Sequence, residues 1–123
     1  MKKVNISLSF LFLCCFSLFS EWNQWRGTSD GNGQISNQKT VDEWSDSKNV
    51  LWKSVVPGKG HSSPVLYGEK VYLTTSDDSK GSLSLLCYNK KDGKLLWQKE
   101  ALKGKFMKVK HPQSDHAAAT PLV

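Results

Sequence analysis

The stretch Tyr88-Asn89-Lys90-Lys91-Asp92-Gly93-Lys94-Leu95-Leu96-Trp97 decides the fold. Asp92-Gly93 is a tight-turn signal, because glycine tolerates the positive φ that short hairpin loops require. The apolar runs on either side, Ser82 to Asn89 and Lys94 to Lys99, therefore read as the two strands of a hairpin. Its closing residues Leu95-Leu96-Trp97-Gln98 repeat the earlier Val50-Leu51-Trp52-Lys53, with the two tryptophans 45 positions apart. A second echo joins His61-Ser62-Ser63-Pro64-Val65-Leu66 to Ala118-Ala119-Thr120-Pro121-Leu122-Val123. The Trp-to-Pro spacing is 12 residues in the first copy and 24 in the second, so the second copy carries a 12-residue insertion. A period of about 45 residues, filled by some four strands, is that of a β-propeller blade.

The strand pattern agrees. Val50 to Val56 reads as a first strand closed by Pro57-Gly58, and Ser63 to Tyr67 as a second. Gly68-Glu69 turns the chain into Lys70 to Ser76, where Val71 and Leu73 alternate with Tyr72 and Thr74, the pattern of a strand with one buried face. Asp77 to Gly81 is a polar connection, and no helix is expected after residue 50. The expected architecture is all-β: a propeller of four-stranded antiparallel blades, of which the first blade and part of the next are present over residues 50–123. Such a blade cannot bury its faces alone, so a large flat ring once per repeat fills the wedge between neighbours. Trp52 and Trp97 are read as those wedges, each burying on the order of 150–250 Å². Because Thr120-Pro121-Leu122-Val123 matches only the start of a strand, the chain is expected to be the amino-terminal piece of a longer protein. An isolated piece of this kind is prone to associate through its open edge.

Ahead of the repeat lie two further segments. Met1 to Ser20 carries Lys2 and Lys3, an apolar run from Leu8 to Phe19 and the small residue Ser20, and reads as a secretory signal peptide. Its apolar run falls short of the roughly 20 residues that a spanning helix needs. Cys14 and Cys15 lie inside this leader, so acylation at either is weighed against cleavage after Ser20, and Cys87 is left as the one mature thiol, with no intrachain disulfide. Residues 21–49 form a polar, glycine-punctuated arm whose bulky anchors are Trp22, Trp25 and Trp44. The 123-residue chain is 38% hydrophobic and 23% charged, which excludes both a bundle of membrane spans and a disordered polyelectrolyte. Without Lys2 and Lys3 the formal charge falls from +6 to +4, too little to demand a nucleic-acid partner.

The Tyr88 to Trp97 stretch resembles the tryptophan-docking repeat of the pyrroloquinoline-quinone (PQQ)-like β-propellers, with Asp92, Gly93, Lys94 and Trp97 at the repeat positions and Trp52 as the earlier copy. Trp22-Asn23-Gln24-Trp25-Arg26-Gly27 with Asp30-Gly31, and Gly60-His61-Ser62-Ser63-Pro64-Val65, resemble stretches of secreted members of that group. Trp22, Trp25, Arg26 and Gly27 are thus read as an amino-terminal signature. The resemblance implies an exported, periplasmic or extracellular protein, similar to the propeller lipoproteins of outer-membrane barrel assembly. The resemblance thus implies a non-catalytic scaffold for envelope proteins, with membrane contact that is peripheral if there is any. It also implies an alternative, a PQQ-dependent alcohol dehydrogenase holding PQQ and calcium through residues beyond Val123. The one vicinal cysteine pair is in the leader, so no cofactor-binding residue is assigned in these residues. A third reading is polysaccharide recognition through Trp22, Trp25 and Trp44.

The remaining chemistry-bearing residues fit bland roles better. His111, His116 and Asp115 match no zinc spacing. Ser62, Ser63, His61 and Asp115 supply the residue types of a hydrolase triad without the Gly-x-Ser-x-Gly elbow. Gly27 to Gly33 lacks the strand before it and the Gly-Lys-Ser/Thr after it that a phosphate loop needs. Asp30, Asn32 and Asp42 lack calcium-loop spacing. Lys103, Lys105, Lys108 and Lys110, with Phe106 and Met107, read as a solvated insertion, not a polyanion site. No catalytic or metal residue is assigned.

Overall fold

The computed structural model describes residues 22–27, 30–34, 41–107, 111 and 114–123. The leader, Lys108 and Lys110 lie outside the described residues. Four strands, β1 (Val65–Tyr67), β2 (Lys70–Asp77), β3 (Ser82–Asn89) and β4 (Leu95–Lys103), form one antiparallel sheet in sequential order. Among the described residues there is no helix, and so none long and apolar enough to cross a membrane. The chain is all-β, as its turn spacing predicts, and the sheet is that of a propeller blade.

The meander follows from the turns. Gly68 takes φ 55° between β1 and β2, and Gly93 takes φ 70° between β3 and β4. In the latter turn the Asn89 N–H donates to the Lys94 carbonyl at 2.9 Å and the Asp92 carboxylate accepts the Lys94 N–H at 3.0 Å. β3 is central and apolar on both faces, with Leu86 and Cys87 each fully shielded from solvent. On one face Val71, Leu86 and Tyr88 pack with Leu66, Leu73 and Trp52. The register sets Tyr72, Cys87 and Trp97 in one row, and alternation turns that row to the opposite face. Burial raises the Cys87 thiol above its ordinary pKa.

Three expectations change. Val50 to Val56 is not a strand. It crosses the sheet and is held by side-chain hydrogen bonds instead of a ladder, which leaves Leu51 93% and Val55 89% exposed. β2 does not bury one face only: Val71 is buried while Tyr72, Leu73 and Thr74 are all half-buried, because both faces of the strand are partly covered. Thr75 and Ser76 are buried because their hydroxyls find carbonyl partners, Thr75 at Pro57 and Ser76 at Lys59. β4 runs past Lys99 to Lys103, interrupted by register shifts opposite Leu83/Ser84 and Cys87/Tyr88, which bend the strand.

Candidate functional site

The β3–β4 turn is built to receive an indole. Trp52 lies against it and donates its Nε1–H to the Lys90 carbonyl at 2.8 Å. Gly93 supplies the floor: a Cβ there would stand 2.3 Å from the Trp52 ring and 2.5 Å from the Ser54 hydroxyl, and the positive φ also favours glycine. Ser54 donates its hydroxyl to the Gly93 carbonyl, and the Tyr88 hydroxyl donates to the Val55 carbonyl at 3.1 Å. The Lys90 N–H in turn donates to the Glu69 carbonyl at 3.0 Å, so the two hairpin turns and the crossing segment meet at one residue, Lys90. The sequence places Trp52, Asp92, Gly93 and Lys94 in one repeat pattern, and the structure brings them to one turn. The hydrogen bonds from Ser54 and Tyr88 have no pattern of their own in the sequence.

Trp97 has a different setting. It projects from β4, on the face opposite the one that Trp52 covers, with the Tyr72 ring 6.0 Å away at 58° and the Lys99 ammonium 5.4 Å from its centroid. Both indoles are half-buried.

The arm divides the amino-terminal signature. Trp22 forms an antiparallel bridge with Leu66, its carbonyl accepting the Leu66 N–H at 2.6 Å. Gly27, at φ 96°, packs so closely that an added Cβ would lie 3.1 Å from the Trp22 ring. Trp25 and Trp44, expected as anchors, are 62% and 76% exposed. The Arg26 guanidinium sits 5.0 Å from the centroid of the Trp25 ring, so that indole meets a cation and not the core and still faces solvent. Trp22 and Trp52 flank an apolar cavity of about 730 Å³ over the Leu66, Leu73 and Tyr88 face, with Lys90 its one charged lining residue.

The two copies of the Ser/Thr-Pro motif touch each other. The Ser63 N–H donates to the Thr120 hydroxyl at 3.0 Å, joining equivalent positions. Nearby, the His61 N–H donates to the Ala117 carbonyl at 3.2 Å and the Thr74 hydroxyl to the Ala119 carbonyl at 2.8 Å. Ser62 is engaged with the β2 backbone, its Oγ accepting the Thr74 N–H at 2.9 Å, so it is not presented as a nucleophile. His61 pairs with Asp115 and His116 with Asp78, two separate pairs. No group of three His, Cys, Asp or Glu side chains gathers to hold a metal among the described residues. Asp30 accepts from Asn32 at 2.6 Å and Asn32 from the Gln34 N–H at 2.8 Å, which is local turn chemistry.

No curated protein and no solved structure matches the chain. The family described as outer membrane protein assembly factor BamB matches residues 27–119, which include the docked Trp52 segment, the Asp92-Gly93-Lys94 turn and Trp97. With its all-β sheet and that match across most of its length, the chain belongs to this family of PQQ-like repeat proteins.

Proposed function

We propose that this protein is an exported, periplasmic or extracellular β-propeller that acts as a binding and assembly scaffold for envelope proteins, with no catalysis of its own. The observation that carries the reading is the family match over residues 27–119, whose description names an assembly factor. Its local geometry supports the same role: Trp52, Ser54 and Tyr88 spend their polar groups on backbone partners, which stiffens the blade and leaves none of the three poised for chemistry.

The described residues do not fit PQQ with calcium. A quinone bearing several carboxylates, paired with a divalent ion, asks for clustered cations and acidic oxygen ligands. The cavity between Trp22 and Trp52 instead has mainly aromatic and aliphatic walls around the single charge of Lys90. A second reading, polysaccharide recognition, has the exposure of Trp25 and Trp44 in its favour, since solvent-facing indoles stack on sugar rings.

The test is in-cell crosslinking of the tagged protein followed by capture from envelope extract. Recovery of outer-membrane barrel-assembly components is the expected result. Alcohol-dependent dye reduction on addition of PQQ and calcium, or glycan-array binding without those components, would overturn it.

A further inference from the structure

The turn at Asp115 is pinned by two histidine–carboxylate pairs that run in opposite senses. Asp115, its side chain only 8% exposed, receives His61 Nδ1 at 2.5 Å on one carboxylate oxygen. Its other oxygen accepts the Ala117 N–H at 2.9 Å. The next residue, His116, reaches the other way. Its Nδ1 is 3.1 Å from Asp78 Oδ1 in the β2–β3 connection and its Nε2 is 2.8 Å from the Met107 carbonyl. The ring lies 4.7 Å from that of Phe106 and is 21% exposed.

Both ring partners of His116 are acceptors with no hydrogen to give. A neutral imidazole has one N–H, so it satisfies one acceptor and turns a lone pair toward the other. An imidazolium donates to both. The turn so held leads into Ala117, Ala119 and Thr120, which bond to His61, Thr74 and Ser63 of the first copy.

We propose that His116 is a proton-operated clasp: as the imidazolium it fastens the Asp115–Ala117 turn to the β2–β3 connection and to the segment after β4, and with it the second Ser/Thr-Pro copy; as the neutral ring it releases one of its two ties. The charges facing it are Asp78 from the β2–β3 connection, Asp115 from its own turn, and Lys80 and Lys105 around the same cleft, with His61 behind Asp115. The Asp78 hydrogen bond, then the one to the Met107 carbonyl, raises the His116 pKa above 6.5 against a smaller desolvation penalty. A raised folded-state value means that the clasp's contribution is complete below 6.5 and fades as pH rises through the folded value. The proposal stands on this geometry and is independent of the scaffold reading.

The test uses the full chain, isotopically labelled, from about pH 5 to about pH 9, a span that brackets ordinary histidine titration. Ring NMR follows His116 while amide exchange, corrected for its intrinsic pH dependence, follows the His61 and Ala117 N–H groups. The expected result is a His116 midpoint above that of a histidine model peptide, with several-fold loss of protection at both amides across that midpoint. Asp78→Asn should return the midpoint toward the peptide value and abolish the pH step, while the Leu86 amide in β3 stays protected. A midpoint unmoved by Asp78→Asn, or protection at His61 that ignores pH in the wild-type chain, overturns the clasp. Should Asp78→Asn also expose Leu86, the wild-type pH step alone decides.

Discussion

Gly93 is the residue on which the repeat contact turns. It meets two demands at once, a φ of 70° and an approach so close that a single methyl would enter the Trp52 ring. Replacing it with alanine is expected to cost about 1–3 kcal/mol from overpacking alone, with backbone strain added. Urea unfolding checks this, and Gly68→Ala is the control, since Gly68 shares the positive φ but has open space around it. The Asp92-Gly93 turn is legible in the sequence because its two residues carry a local backbone requirement. What is not legible is that Gly93 also serves as a seat, because that depends on a ring 41 positions upstream.

At the scale of the element, the segment from Trp52 to Val55 is instructive because it has strand composition without a strand. Val50, Leu51, Val55 and Val56 have the propensity, but propensity here records only fitness for a half-covered pleated surface. The segment's backbone has no ladder partner among the described residues, and one side-chain donor, one hydroxyl and one tyrosine replace it. Trp52→Phe is therefore expected to keep most of the ring packing and lose the bond to the Lys90 carbonyl, for about 0.5–1.5 kcal/mol of destabilisation in urea unfolding. β1 to β4 were readable to within a few residues because alternating apolar runs and glycine turns specify hairpins locally. The end of β4 was not, since the shifts opposite Leu83/Ser84 and Cys87/Tyr88 depend on the fit to β3 and leave no mark in β4's own sequence. The pairing of the histidines escaped for the same reason: His61 with Asp115 and His116 with Asp78 follow no spacing rule, and they meet only because the loops that carry them fold back on one another.

For the molecule as a whole, the outer edge of β4 is the exposed margin. Among the described residues no strand pairs with it, and it carries Leu95, Leu96 and Leu102 at 41%, 46% and 56% exposure. Lys99, Glu100 and Lys103 interleave with them, the usual protection of an open edge. Replacing Leu96 and Leu102 together with lysine is expected to lower self-association, measured by sedimentation velocity across a concentration series. An unchanged sedimentation profile would exclude this edge as an association surface. The all-β architecture is legible in the sequence, where a recurring tryptophan and a recurring Ser/Thr-Pro step declare a period. The separate settings of Trp52 and Trp97 are not, because similar local sequence meets different neighbours on the two faces of one sheet.

The contact between Ser63 and Thr120 has a consequence for descent. Matching sites of a duplicated unit are usually free to diverge on their own, but here one copy's hydroxyl satisfies the other copy's amide. A mutation that removes the hydroxyl at Thr120 strands a backbone donor in its sibling, which no side-chain exchange at position 63 short of proline relieves, so position 120 should be held to serine or threonine wherever the contact is kept.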